Sequence, residues 1–141
     1  MSEAVEGTEL DRALALDIVR VTEATAVAAA QWLGRGDEAS ADAAAAAAMH
    51  REVARLPFEG VVVVGEGEEG DCPVFYLGEK IGAGSPSGAA LDLAVDPIEG
   101  STLCAKALPN AMSVLVVAER GSLLKIGRAS CRGSVWGGGG G

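Results

Sequence analysis

Apolar residues in the first third of the chain recur at steps of three and four, which is the period of an amphipathic helix. The pattern begins at the capping signal Thr8-Glu9-Leu10-Asp11 and continues through Leu10, Leu14, Ile18, Val21, Thr25, Ala28 and Trp32. Gly34 and Gly36 end this helix, and Asp37 or Ser40 can cap a second one over Ala43 to Leu56. The alanine run in the second helix favours close helical packing over disorder, because alanine is the strongest helix former.

After Pro57 the pattern changes to short β-branched segments separated by glycine-rich turns. The predicted strands are Val61 to Val64, Val74 to Leu77, Leu91 to Val95 and Met112 to Ala118. A turn region covers Gly82 to Gly88, and a short helix is predicted from Ser101 to Ala107. Two helices followed by strands predict a layered α/β domain in which the N-terminal helices pack on a mixed sheet.

The charge balance narrows the classes of function. The 141 residues include 20 acidic and 11 basic side chains, a net charge of −9, which is the wrong sign for a protein that neutralises nucleic-acid phosphates. No apolar run approaches the ~20 residues needed to cross a bilayer, and the acidic N-terminus does not have a signal-peptide layout. Cys72, Cys104 and Cys131 are too widely spaced to indicate a disulfide framework or a zinc site. We expect a cytoplasmic protein that binds neither nucleic acid nor membrane.

The strand Val61 to Val64 opens into an acidic, glycine-rich loop, Gly65 to Asp71. No basic residue lies between Arg55 and Lys80 to compensate its carboxylates, which belong to Glu66, Glu68, Glu69 and Asp71. Carboxylates are hard oxygen ligands, and without cysteine or histidine among them they favour Mg²⁺ or Mn²⁺ over zinc or copper. A solvated acidic turn explains this loop, taken alone, equally well.

A second acidic segment, Asp96-Pro97-Ile98-Glu99, follows the strand Leu91 to Val95. Two carboxylates three residues apart on a proline-containing turn can point at one pair of ions, and Gly100 opens a helix N-terminus that favours phosphate. The alternative is a purely structural Asp-Pro turn with a capping serine. The presence of the acidic loop Gly65 to Asp71 in the same chain favours the metal site over this alternative. Asp42 and His50 need no function of their own, because the helix dipole favours an acid in the first turn and His50 fits a surface or packing position.

Six segments, taken in order, resemble class II fructose-1,6-bisphosphatase, a family of the lithium-sensitive, metal-dependent sugar phosphatases. They are Arg20-Val21-Thr22-Glu23, Trp32 to Asp37, Ser40-Ala41-Asp42, Val63 to Glu68, Tyr76 to Lys80 and Asp92 to Ser101. The resemblance runs from about Leu10 to Leu124 and covers only the N-terminal part of that enzyme. It implies Mn²⁺- or Mg²⁺-dependent hydrolysis of the 1-phosphate of fructose 1,6-bisphosphate, in gluconeogenesis, by a homo-oligomer.

The resemblance also implies roles for individual residues. The implied metal ligands are Asp42 and Glu66 for one ion and Asp96 and Glu99 for the second. The implied substrate-binding residues are Glu99, Gly100, Ser101 and Thr102, and the implied catalytic acids are Glu68 and Asp71. The family's catalytic Asp corresponds to Gly70 here, so either Asp71 takes that role through a shifted loop or the acid is missing.

The domain prediction divides the chain into a disordered N-terminus (1–7), the N-terminal part of a sugar-phosphatase domain (8–124) and a non-native tail (125–141). Lys125 to Arg132 back-translates readily into a short-read sequencing adapter, and Gly137 to Gly141 into repeated GGG codons. A genuine flexible glycine-rich tail is the competing explanation. The family's downstream basic residues, which bind the sugar phosphates, have no counterpart before Leu124, so we expect the fragment to be inactive.

Three functions follow, in order of preference. The first is a truncated fructose 1,6-bisphosphate 1-phosphatase. The second is an inositol or other sugar monophosphatase of the same superfamily, because the Asp96 to Gly100 turn recurs across it. The third is a non-catalytic acidic module that binds a divalent metal ion or a partner protein.

Overall fold

Two long helices joined by a short turn pack against each other and against the sheet. They are α1 (Glu9–Ala30) and α2 (Glu38–Val53) in a computed structural model that describes residues 9–84, 89–124 and 127–128. Asp37 caps α2, since its carboxylate accepts the backbone N–H of Ser40 at 3.0 Å, and the Ser40 hydroxyl donates to the same carboxylate at 2.7 Å. The first of the two caps predicted from the sequence is therefore the correct one.

The alanine-rich part of α2 forms the face that is buried. Ala41, Ala45 and Ala48 are buried, and Met49 and Val53 extend the same face. Small side chains at these positions allow the neighbouring helix and strands to approach closely. The prediction of a tightly packed helix over the alanine run is confirmed.

Five strands and a short helix complete the described fold. They are β1 (Glu59–Gly65), β2 (Lys80–Ile81), β3 (Ala90–Glu99), α3 (Ser101–Ala105), β4 (Met112–Glu119) and β5 (Gly127–Arg128). The strand order is β2-β1-β3-β4, with β5 also paired to β1. β1 runs parallel to β3, whereas β2 and β4 are antiparallel to their neighbours, so the predicted mixed sheet with two packed N-terminal helices is confirmed.

The core lies between the two helices and the sheet. Phe58 and Phe75 are its largest fully buried side chains, and they pack in one cluster with side chains of α2, β1 and β3. Thr25 is buried in α1 and donates its hydroxyl to the carbonyl of Val21 at 2.7 Å, which satisfies the polar group inside the core.

The predicted strand Val74 to Leu77 is wrong. Phe75 has a φ of 56° and Gly78 a φ of 85°, and residues in the left-handed region cannot continue a β-ladder. Tyr76 forms a single isolated bridge with Gly67 instead. The segment is a compact loop despite its β-type composition, because its backbone groups bond to the acidic loop and to a buried side chain rather than to a neighbouring strand.

Three smaller boundaries also differ from the predictions. The segment from Asp96 to Glu99 forms the irregular end of β3 rather than a separate turn. Helix α3 stops at Ala105, and Ala107 has a left-handed φ of 54°. Since α2 begins at Glu38, Asp42 lies in its second turn and not in the first.

Some predictions concern residues that the structure does not describe. Within 125–141, only Gly127 and Arg128 are described, and they pair parallel to Val64 and Gly65. The disordered N-terminus, the non-native tail and Cys131 lie outside the described residues and stay predictions. Cys104 is a buried thiol. Within the described ranges, no helix has both the length and the apolar character that a bilayer span requires.

Candidate metal centre

Glu66 directly follows β1, and Asp96 lies in the last part of the neighbouring parallel strand β3, at the same edge of the sheet. Val64 of β1 pairs with Ala94 of β3, so each acid comes two residues after this paired position. The carboxyl ends of parallel strands meet at one edge, which is where sites collect in sheets with parallel strands. Glu66 is half-buried and Asp96 is only 8% exposed.

The electrostatics of Asp96 identify its neighbours. Burial raises the pKa of Asp96 from its ordinary 3.8 to about 7, helped by a hydrogen bond with Glu99 and by the negative charges of Glu99, Glu66 and Asp42. Like charges disfavour ionisation, so Asp96 retains a proton that an isolated carboxyl would lose. The four carboxylates predicted to bind metal therefore act on one another in the folded chain.

A bulge brings Asp96 and Glu99 together. Residues three apart in a regular strand point to opposite faces of the sheet. Here Asp96 pairs with Val114 and Glu99 with Met112, so three steps along β3 match two along β4. The extra residue in β3 redirects its side chains, as bulges commonly do near sites. An exposed Glu99 can thus hydrogen-bond to the buried Asp96.

The position of Glu66 depends on a close approach of two backbone segments. Its amide donates to the carbonyl of Phe75 at 2.9 Å. A Cβ at the preceding Gly65 would lie 2.1 Å from that same carbonyl oxygen, a distance that no side chain permits. Glycine is therefore required at Gly65 for the acidic loop to dock.

Asp42 reaches the same region from the helical layer. It is half-buried in α2 beside the fully buried Ala41 and Ala45, and its charge contributes to the raised pKa of Asp96. The helix packs against β3 and α3, which accounts for its proximity to the carboxyl edge. Pattern reasoning gave Asp42 no role, and only the family resemblance selected it.

The four carboxylates are chemically suited to a hard divalent cation, although their side chains do not converge on one point. Among the described residues, no three His, Cys, Asp or Glu side chains already form a group that could enclose an ion. Burial, the hydrogen bond with Glu99 and the neighbouring carboxylates together raise the pKa of Asp96, so it binds a proton more tightly than an isolated carboxyl does. Ligands must be deprotonated to bind a metal ion, so binding would release this proton. An all-oxygen set favours Mg²⁺ or Mn²⁺.

Glu68 and Asp71, the predicted catalytic acids, differ from these four groups in their surroundings. Both are exposed, and they form a turn in which the Asp71 amide donates to the Glu68 carbonyl at 3.1 Å. Among the described residues, the charges that raise the pKa of Asp96 come from Glu99, Glu66 and Asp42 and do not include this pair. Gly70, between them, has a left-handed φ of 94° with open space around it.

The predicted substrate-binding residues form the start of α3, directly after Glu99. Gly100 is the N-cap residue with a left-handed φ of 87°, so the chain turns sharply from β3 into the helix. Ser101 is half-buried and Thr102 is exposed. Amides in the first turn of a helix have no intrahelical acceptor, so those of Ser101 and Thr102 are suited to an anion.

The sequence analysis did not predict one polar pair, His50 and Glu79, which lies next to Phe75. His50 Nε2 lies 2.7 Å from Glu79 Oε1, and the His50 ring contacts the Phe75 ring edge-on at 5.3 Å between centroids. His50 does pack, as predicted, but it also bonds a largely buried carboxylate. The only signal for Glu79 was its place in the segment Tyr76 to Lys80, to which no role had been assigned.

Comparisons with known proteins find one family model and several curated relatives. The model of a family described as bacterial fructose-1,6-bisphosphatase, glpX-encoded, matches residues 12–131. Over 113 residues the chain is 46% identical to fructose-1,6-bisphosphatase 1 class 2 of Escherichia coli (strain K12) and, equally, to the class 2 enzymes of Escherichia coli O6:H1 and Shigella flexneri. Each alignment covers 80% of this chain and 33% of the relative. The chain therefore spans about a third of the length of the curated relatives it matches.

Proposed function

The chain belongs to the bacterial, glpX-encoded fructose-1,6-bisphosphatase family, and from this premise we propose that it forms the metal-holding part of a fructose 1,6-bisphosphate 1-phosphatase. Because it spans about a third of its relatives, we propose that it does not release phosphate by itself. The whole enzyme would hydrolyse a phosphoric monoester of a sugar phosphate.

The observation that carries the proposal is the mutual influence of four carboxylates at one edge of the sheet. Asp96 is buried beside Glu99, Glu66 and Asp42, and its pKa is raised to about 7. A buried carboxylate among like charges is costly without a counter-ion, and in a family of sugar phosphatases that counter-ion has a catalytic use.

In this proposal Asp42 and Glu66 would hold one divalent cation, Mn²⁺ or Mg²⁺, and Asp96 and Glu99 the second. Two such ions supply Lewis acidity that activates water and stabilises the leaving oxygen of a phosphate ester. The chain itself holds the carboxylates in place: Asp96 from the β3 bulge, and Glu66 from the docked acidic loop.

The phosphate side of the site would use the start of α3. Ser101 and Thr102 would donate hydroxyl and amide hydrogens to the phosphate, and Gly100 lets the backbone approach it. Glu99 adjoins them and would contact substrate and metal together. Glu68 and Asp71 are the candidates for proton transfer, with Asp71 in place of the family's displaced acid, on a loop that is exposed in this chain.

We further propose a cytoplasmic enzyme of gluconeogenesis that assembles as a homo-oligomer in its full-length form. Support for assembly comes from large apolar side chains that are exposed on α1 and β4, among them Leu16 (64%), Val27 (63%) and Met112 (57%). Apolar patches on a soluble protein mark contact surfaces. Sedimentation of the full-length form tests this assembly, which predicts a mass above that of one chain.

The metal site is tested directly on this chain by calorimetric titration with Mn²⁺. We expect the double variant Glu66→Gln/Glu99→Gln to lose at least ~100-fold in affinity, because one ligand is removed from each predicted ion. Glu59→Gln is the matched control, since Glu59 is an exposed glutamate at the opposite end of β1. Unchanged affinity in the double variant would contradict the site and favour the non-catalytic acidic module.

The activity is tested in a chimera. The 113 matched residues of the Escherichia coli (strain K12) relative are replaced by those of this chain, and phosphate release is followed with Mn²⁺ present. We expect release from fructose 1,6-bisphosphate by the chimera and none by the isolated chain. Preference of the chimera for inositol monophosphate would instead support the second candidate function, and a chimera that folds but releases no phosphate from either substrate would contradict both.

A further inference from the structure

Glu79 is a largely buried carboxylate that the proposed mechanism leaves without a role. Its side chain is 11% exposed, and its two oxygens bind different parts of the chain. Oε1 lies 2.7 Å from Nε2 of His50 on α2, and Oε2 accepts the backbone N–H of Phe75. A helix and a loop are thus joined through one carboxylate.

Phe75 needs such support, because its backbone conformation is unfavourable. Its φ of 56° is in the left-handed region, which a large side chain rarely adopts. The ring is fully buried and meets His50 edge-on at 5.3 Å, so His50 and Glu79 hold the side chain and the backbone of the same residue. Conformations of this kind persist only where the surroundings over-determine them.

The carbonyl of Phe75 then fixes the acidic loop. It accepts the amide of Glu66 at 2.9 Å, and it approaches Gly65 so closely that no Cβ would fit. The next loop residues are tied in the same way, since the Leu77 amide donates to the carbonyl of Gly67 at 2.9 Å. The contacts from Glu79 to the backbone of Glu66 are continuous.

We propose that Glu79, held by His50, is a positioning residue that sets the backbone of Glu66 for divalent-metal binding through its contact with Phe75. The inference rests on the proposed function, because it requires Glu66 to be a metal ligand. Outer groups of this kind orient the ligands that touch the ion, and their loss commonly costs 10- to 100-fold in metal affinity.

The test combines amide hydrogen exchange with Mn²⁺ titration on this chain. In Glu79→Ala we expect the amides of Phe75 and Glu66 to exchange at least about tenfold faster, while the amides of β3 and β4 keep their protection. We expect Mn²⁺ affinity to fall about 10-fold or more. In Glu79→Gln most of the protection and affinity should be retained, because Gln offers one acceptor for Phe75 and a polar group for His50.

Glu52→Ala is the matched control, since Glu52 is a partly buried glutamate on α2 whose ion pairs with Arg51 and Arg55 do not reach the loop. Its amide exchange and affinity should equal those of the wild type. Protected β3 and β4 amides verify that a variant is folded, and if Glu79→Ala does not fold, Glu79→Asp, whose shorter side chain cannot keep both bonds, replaces it.

Unchanged exchange at Phe75 and Glu66 would overturn the contact chain. Faster exchange with unchanged Mn²⁺ affinity would overturn the positioning role, while the metal site would stand. A wild-type chain that binds no Mn²⁺, with its loop amides still protected, would overturn the proposed metal site and this inference with it. These results are distinguishable, because the exchange measurement does not depend on metal.

Discussion

Strand β3 carries two buried aspartates four residues apart, and their surroundings are opposite in charge. Asp92 is 2% exposed, and Arg120 Nε lies 3.3 Å from its Oδ1. Its Oδ2 accepts the amides of Gly121 and Leu123 at 2.7 and 3.4 Å. Asp96 is 8% exposed and lies among other carboxylates, which help to raise its pKa to about 7.

The difference separates a carboxylate whose charge the fold compensates from one that the fold places among like charges. At Asp92 the fold supplies the compensating charge, and Arg120 also donates to the carbonyl of Glu59 at 2.8 Å, joining the ends of β1, β3 and β4. At Asp96 the fold supplies further negative charge. Burial alone therefore does not select a candidate functional acid, whereas burial among like charges does.

The largest effect on stability is expected from Asp92→Ala. Loss of the carboxylate leaves Arg120 and two inward-facing amides without their acceptor, and breaking a buried pair costs about 3 kcal/mol or more. We expect about 3 kcal/mol, the lower end of that range, because the Arg120 side chain is 43% exposed and stays partly hydrated. Urea unfolding measures the loss.

Glu119→Ala, at an exposed position at the end of β4, is the control and should leave the free energy of unfolding nearly unchanged. Mn²⁺ affinity should be the same in Asp92→Ala as in the wild type, measured where both are folded. A drop in affinity as large as that caused by replacing Asp96 would show that the two ends of β3 are not independent.

Asp96→Asn is expected to act in the opposite direction on the metal-free chain. Because the folded pKa of about 7 exceeds the ordinary 3.8, the folded state binds the proton more tightly, and stability falls as the pH rises from about 4 to about 7. Asn cannot ionise, so the variant should avoid this loss and be more stable than the wild type at pH 8. Below pH 4 the two should be nearly equal.

Urea unfolding in the presence of a chelator, at pH 4, 6 and 8, measures this difference. Added Mn²⁺ should raise the thermal midpoint of the wild type at pH 8 by more than that of Asp96→Asn, since a ligand stabilises the state that binds it and the variant has lost one carboxylate of the proposed second ion. Asp17→Asn, at a half-buried position on α1, is the control variant. Equal pH profiles for the wild type and Asp96→Asn would contradict the electrostatic account of the site.

The sequence was sufficient to predict the elements whose pattern is local. The helices follow from three- and four-residue spacing, and each acidic segment was visible as carboxylates directly after a predicted strand. Val74 to Leu77 has a β-type composition but forms a loop, because Glu79 and the acidic loop take its backbone bonds. Those contacts depend on tertiary structure, which composition does not encode.

The dependence of contacts on tertiary structure also explains which site residues were predicted and which were not. Glu66, Asp96 and Glu99 were visible in short motifs, whereas Asp42 needed the family resemblance because an acid near a helix start is ordinary. The partners of Asp92 and Glu79 were not visible, since each pair joins residues 28 or 29 positions apart. Only the folded chain brings such pairs together.

The smallest effect is expected from Arg120→Gln. The amides of Gly121 and Leu123 continue to bind Asp92, so the carboxylate keeps two of its partners, and Gln can still donate to a backbone carbonyl. We expect a loss of about 1 kcal/mol in the free energy of unfolding, the usual net value of a hydrogen bond to a partly exposed group.

Arg20→Gln is the matched control. The Arg20 side chain is 77% exposed and its Nη1 lies 3.7 Å from Oδ1 of Asp17, and an exposed ion pair of this kind contributes little to stability. If Arg120→Gln costs no more than Arg20→Gln, the amides alone compensate Asp92, and the contrast with Asp96 rests on backbone hydrogen bonds rather than on a cation.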